Sequence, residues 1–198
     1  MALYTTIKHL TELPENWEKQ HLELRIDTLA LSVSELINIG KHCLYPPVFS
    51  NREQPMDQNC AKQLGNIGIC DIDFQAYQAE FSTSKQPIII SWHDDTTYPR
   101  QLPEIQNSIF KICPKFNDMP SCLRFLTHMQ KFPSQHIIAY ARGERFQFTR
   151  QLAIAQQQPI HFLRPKLADN VDSQLTIDQV PKQTKASHWF ALLGQNIN

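Results

Sequence analysis

Two short polar stretches carry the side chains best suited to chemistry. The first is His93-Asp94-Asp95, directly after the apolar run Pro87-Ile88-Ile89-Ile90-Ser91-Trp92. An imidazole beside two carboxylates can hold a divalent cation or pass protons. Adjacent residues usually point apart, so a solvated, turn-forming Asp-Asp pair is the competing reading. The second stretch is Arg142-Gly143-Glu144-Arg145, after the run His136-Ile137-Ile138-Ala139-Tyr140-Ala141, with Arg150 further on. A helix starting near Glu144 would present free N–H groups and the positive end of its dipole, a natural anion site. Arg145 could grip a phosphate bidentately, and Gly143 supplies freedom at the turn. Alternatively, Glu144 already satisfies the dipole with Arg142 as its solvated partner. Tyr140, Phe146 and Phe148 near Arg145 and Arg150 could stack bases of single-stranded nucleic acid, although aromatics at helical spacing are more often core.

Other chemistries find less support. Ser91 and Ser121 lack a G-x-S-x-G context. Cys113 and Cys122 have no marked pairing with His128 or His136. The eight histidines show neither H-x-x-x-H nor H-E-x-x-H, which disfavours a zinc hydrolase. Five cysteines, with no Cys-x-x-Cys pair, read as buried, reduced thiols. Only five glycines occur, and Gly65-Asn66-Ile67-Gly68 is the nearest approach to a phosphate-cradling loop. Neither G-x-G-x-x-G nor a Walker motif is present, so no cofactor is expected.

The elements that must position these residues follow from apolar periodicity. Three apolar runs, 87–92, 136–141 and Pro159-Ile160-His161-Phe162-Leu163, are separated by amphipathic stretches. Strands buried on both faces read as continuous apolar runs, and intervening helices imply parallel crossovers. The expectation is a βαβαβ core over 84–166 in an α/β fold: a mostly parallel open sheet with helices on both faces, Rossmann-like. Its ligand crevice would lie at the strand ends. Phe110-Lys111-Ile112-Cys113 reads as an additional strand, and Glu104 to Ile109 as a short helix. Asp118 or its neighbour caps a helix with Pro120 in its first turn, burying Leu123, Leu126, Met129 and Phe125.

Residues 1–83 read as an N-terminal strand-helix with irregular or α+β elaboration. His21-Leu22-Glu23-Leu24-Arg25-Ile26-Asp27 alternates polar and apolar residues, as a half-buried strand does. A helix capped by Asp27 or Thr28 follows, ending near Gly40; one long helix from Pro14 to Cys43 is the competing reading. Ile67 to Phe74 reads as another strand. Residues 167–198 form a polar connection and an apolar tail whose Trp189 and Phe190 either dock on the core or meet a protein partner. The whole length, 198 residues, suits a single domain.

Charge is balanced, 19 basic against 19 acidic residues, which argues against nucleic-acid binding through a global field. No apolar stretch approaches the length of a membrane span, and no secretory signal is seen, so a cytoplasmic location is expected.

Residues 88–165 resemble the second half of the Rossmann-like domain of DNA-processing protein A. The likeness rests on Tyr98-Pro99, Phe132-Pro133, Ile137-Ile138-Ala139, Thr149, Leu152-Ala153 and Pro165. That family's glycine-rich first half has no counterpart here, and Ser134-Gln135-His136 stands in place of its basic cluster. The resemblance implies a non-catalytic protein binding a nucleotide or single-stranded nucleic acid. Its strand-end loops would contribute His93, Asp94, Asp95, Arg142, Gly143, Arg145 and Arg150. The alternative is an interaction subunit or adaptor of a cytoplasmic complex, with an enzyme third.

Overall fold

In the computed structural model, which describes residues 1–77, 87–93, 96–165 and 174–180, eight strands form one sheet and every ladder is parallel. They are β1 Ala2–Ile7, β2 Leu22–Arg25, β3 Val48–Ser50, β4 Ile69–Asp73, β5 Ile88–Trp92, β6 Ser108–Ile112, β7 Ile137–Ala139 and β8 Ile160–Leu163. The five α-helices are α1 Ile26–Leu29, α2 Val33–His42, α3 Gln58–Leu64, α4 Met119–Met129 and α5 Phe148–Ala155. Strands β1 to β7 pair in chain order, and β8 returns to pair with β1, placing Ala2 opposite Ile160. This winding is that of a (β/α)8 barrel.

Helix boundaries follow local chemistry. Ser32 caps α2 in a capping box: its hydroxyl accepts from Glu35 N (3.3 Å), and the Glu35 carboxylate accepts from Ser32 N (2.8 Å). Asp118 caps α4 by accepting from Ser121 N at 2.7 Å, with Pro120 in the first turn. The apolar residues divide into two layers. Leu22, Leu24, Phe49, Ile72, Ile90 and Phe110 point outward from the strands to meet the helices, with Leu64 of α3 and Phe125 of α4 among the contacts. Tyr4, Val48, Ile69, Ile89, Ile138, Ile160 and Phe162 point inward and fill the barrel.

These observations correct the open-sheet expectation. The three apolar runs are parallel strands, but they do not lie side by side: β6 stands between β5 and β7, and β8 pairs with β1. The sheet curls until its inner face packs on itself, which an open Rossmann sheet cannot do. The N-terminal part, expected to be irregular or α+β, supplies β1 to β4. Residues 104–107 do not form a helix; Asn107 adopts a left-handed φ of 54° and β6 begins at Ser108. On α4 the buried side chains are Cys122, Phe125 and Met129, while Leu123 is 38% exposed. The helix expected to begin at Asp27 or Thr28 is instead a single turn, and α2 starts afresh after Ser32.

Among the described residues no ladder joins β7 to β8, so β7 has an edge inside the structure. Side chains satisfy it. Ala139 N donates to Gln158 Oε1 at 2.8 Å, and Ala141 N donates to Thr149 Oγ1 at 3.0 Å. Gln158 and Thr149 are both buried and thus replace the missing strand partner. Gln158→Leu should leave the Ala139 amide without an acceptor and cost about 1–3 kcal/mol of stability. Urea unfolding of variant and parent checks this; equal midpoints would show that the seam is held otherwise.

Candidate active site

Side chains alternate across a strand, so one residue in two faces the lumen. The lower lumen is apolar, as described. Two residues further along, the same strands present Thr6, Glu23, Ser50, Asp71, Ser91 and Lys111, all buried. This polar layer lies toward the carboxyl ends of the strands, the end where barrels of this type carry their sites.

The layer is internally satisfied. Lys111 is fully buried, and its Nζ donates to Asp71 Oδ2 at 2.5 Å. Ser91 Oγ donates to the other oxygen, Asp71 Oδ1. The Phe162 ring lies 4.3 Å from Lys111 Nζ and adds a cation–π contact. On the far side, Glu23 accepts from Thr6 Oγ1 at 2.5 Å and from Ser50 Oγ at 3.0 Å. Gln174, arriving from beyond β8, donates to Thr6 Oγ1 at 3.0 Å. Above the layer, Arg25 forms a two-pronged pair with Asp27.

The ionisation states follow from this packing. Burial opposes the Lys111 ammonium, but Asp71, aided by Tyr140 and Glu23, outweighs it and lifts the lysine above its ordinary range. Burial would likewise raise Asp27; the Arg25 pair and the backbone amides of Asp27 and Arg52 reverse that and hold its carboxyl low. His93 is held well below the usual imidazole range, first by burial and then by the positive charges of Lys111, Arg52, Arg142 and Arg25. It is therefore a neutral ring at pH 7.

A cavity of about 450 Å³ opens over this layer. Its lining includes Asp71, Ser91, His93, Arg142 and Arg52. Lys111 does not line it but contacts Asp71, which does. A carboxylate, a neutral imidazole and arginines around one small cavity, with an amine paired to that carboxylate, suit a small anionic molecule bearing a carbonyl group.

The structure brings together two of the stretches singled out in the sequence. Arg142 Nη2 donates to His93 O at 2.8 Å and its Nε to Cys113 O at 2.7 Å, so the ends of β5 and β7 meet at the cavity. Gly143 has φ 105°, a conformation that favours glycine. Arg145 is exposed, its guanidinium 6.0 Å from the Phe146 ring, and does not line the cavity. Arg150 is buried on α5, 3.8 Å over the Tyr140 ring, which belongs to the inner core. Asp94 and Asp95 lie outside the described residues, as do Trp189 and Phe190. Among the described residues no cluster of His, Cys, Asp and Glu is arranged to hold a metal ion, and no helix is long and apolar enough to cross a membrane.

Sequence reasoning passed over Lys111, Asp71, Glu23 and Arg25. The signal was present: three charges at every second position of Glu23-Leu24-Arg25-Ile26-Asp27, and one lysine inside the otherwise apolar run 109–113. The alternation by itself reads as a half-buried strand with one side in solvent, whereas in β2 the apolar side meets the helices and the charged side the lumen.

No family model and no curated protein matches the sequence. Solved structures do match, over its whole length. One is the 3-dehydroquinate dehydratase of Aquifex aeolicus VF5, with TM-score 0.67, 15% identity and coverage of 100% of this chain and 99% of that one. Another is the type I 3-dehydroquinate dehydratase of Clostridium difficile, bearing covalently modified comenic acid, with TM-score 0.72, 15% identity and coverage of 100% and 93%. The Geobacillus kaustophilus HTA426 3-dehydroquinate dehydratase gives 0.65, 15%, 100% and 92%. The likeness is one of fold. It replaces the resemblance to DNA-processing protein A, and with it the reading as a non-catalytic nucleotide- or nucleic-acid-binding protein or adaptor. The matching proteins are enzymes, and Arg52 and Arg142 line one compact cavity instead of an extended groove.

Asp71→Asn should cost about 3–5 kcal/mol at neutral pH by leaving a buried ammonium without its counter-ion. In the parent, the raised Lys111 contributes stability at neutral pH that is lost as pH climbs through its elevated value. In the variant burial is no longer outweighed by Asp71, the lysine drops below its usual value of about 10.4, and the deficit should shrink as pH rises toward it. Denaturant titrations of both proteins at several pH values test this; a pH-independent deficit would contradict it.

Proposed function

We propose that this protein is a lysine-dependent dehydratase acting on a small hydroxylated keto acid, with 3-dehydroquinate as the first substrate to try. The observation that carries the reading is the buried Lys111–Asp71 pair beneath a cavity that also presents a neutral His93. The likeness in fold to 3-dehydroquinate dehydratases supports it.

The chemistry follows from the groups present. A lysine amine attacks a carbonyl only when unprotonated, and Asp71 is the acceptor already in contact with the Lys111 ammonium. The neutral amine adds to the ketone carbon, and the carbonyl oxygen leaves as water, forming an iminium. That positive nitrogen withdraws electrons from the adjacent carbon, whose proton passes to His93. The electron pair expels the hydroxyl on the next carbon, which departs as water with the proton His93 holds. Hydrolysis of the iminium restores Lys111, and the net reaction is loss of one water. Arg52 and Arg142 face the cavity and suit the substrate carboxylate, to which guanidinium can bind in bidentate fashion.

Borohydride added during turnover should trap a secondary amine on Lys111, read as a mass increase on that peptide. Lys111→Arg keeps the charge opposite Asp71 but should abolish both trapping and dehydration. His93→Ala should lower the rate by about 10²–10⁴. A protein that neither dehydrates 3-dehydroquinate nor is trapped with it would refute the assignment. Because His93 works as the neutral base and is held low, activity should persist as pH falls below about 6.5, the usual imidazole value. It should fail only as pH drops through the depressed value, which a pH–rate profile measures.

A further inference from the structure

Lys111 is held as an ammonium, yet the reaction requires a free amine, so something must tell the pair that a substrate has arrived. Asp71 is gripped at both oxygens: Lys111 holds Oδ2 and Ser91 holds Oδ1. Ser91 sits on β5 at the edge of the cavity, two residues before His93, and its side chain is among those lining it. Lys111 does not line that cavity. Ser91 is therefore the neutral hydroxyl that touches both the pair and the space where a substrate would bind.

We infer that Ser91 is a positioning residue that keeps Lys111 charged before a substrate binds, and releases it when a substrate oxygen draws the Ser91 hydroxyl away from Asp71. The inference rests on the lysine-dependent reading of the site. A hydrogen bond to a charged carboxylate favours the charged form. While Ser91 donates to Asp71, that bond supports the charged pair and the proton stays on Lys111. When the hydroxyl turns to a substrate oxygen, Asp71 loses that support and takes the proton from Nζ to its own Oδ2. No proton leaves the pair, and the amine is freed at the moment its target is present. The other ionisable groups facing Lys111 are Glu23 of β2, Tyr140 after β7, Arg52 after β3, His93 after β5 and Cys113 after β6. These act through space; among the described contacts, the hydrogen bond made by Nζ is the one to Asp71.

Reductive methylation with formaldehyde and cyanoborohydride reads the free amine at Lys111 without any substrate. Labelling of the Lys111 peptide is followed by mass from about pH 6 to about pH 12, a span that brackets the usual lysine value of about 10.4. Because the proton moves within the pair, losing the Ser91 bond should show as faster Lys111 labelling at every pH well below the midpoint. In Ser91→Ala that rate should rise about tenfold over the parent, the effect of losing one hydrogen bond to a charged group. Ser91→Thr, which keeps the hydroxyl, should return it to the parent value. A looser pocket would speed labelling by the same factor at high pH, where the amine is already free, so an equal gain at low and high pH overturns the inference. A low-pH rate that coincides with the parent's or falls overturns it too, as does a Lys111 unlabelled in both proteins. Borohydride trapping of the parent with 3-dehydroquinate, run alongside, separates the two claims. A low-pH gain without trapping upholds the hold of Ser91 on Lys111 and removes the dehydratase; trapping without that gain does the reverse.

Discussion

The Lys111–Asp71 contact in the barrel lumen constrains much of what surrounds it. An ammonium fully removed from water is tolerable only when its counter-ion is fixed and that counter-ion's remaining oxygen is also satisfied. Ser91 meets the second condition, and the Phe162 ring covers another side of the ammonium. Glu23 obeys the same logic with Thr6 and Ser50, and Gln174 extends that network beyond β8. A polar layer of this kind has to be built from many strands at once, since each contributes a single inward residue at that height.

Closure of the sheet is what makes such a layer available. Had the strands stayed flat, Glu23, Asp71 and Lys111 would have stood on a wide face with water or a helix above them. Curled, they converge. The cost of closing appears at the β7 edge, where Gln158 and Thr149 accept the amides that a ladder would otherwise have taken. Arg150 packs near the same seam, on Tyr140, so the junction also adds a cation to the inner core. Its position explains why an arginine in a predicted helix face, first considered for a surface anion, turns out to be buried.

The electrostatics divide the labour among similar groups. Asp27 is committed to Arg25 and stays ionised. Asp71 is the counter-ion of the Lys111 ammonium. His93 is surrounded by positive charge and by low-dielectric protein, so it stays neutral at the pH where a free imidazole begins to protonate. Groups of different proton affinity thus lie close together at one end of the barrel, an arrangement that suits the proposed acid–base chemistry.

Much of the secondary structure was legible in the residues themselves. The runs at 88–92, 137–139 and 160–163 are strands, Phe110-Lys111-Ile112 is a strand, and Asp118 with Pro120 opens a helix, because backbone periodicity and capping are local. His93 and Arg142 were also legible as site candidates, since both follow strands and carry polar groups. The direction in which each strand faces was not. Alternation in Glu23-Leu24-Arg25 states that two sides differ, but not whether the polar side looks at water or at a lumen. That choice depends on whether β8 returns to β1, a pairing between residues at opposite ends of the described chain whose loop-closure entropy no local window can weigh. Tertiary structure decided it, and in doing so turned one lysine in an apolar run into the centre of a site.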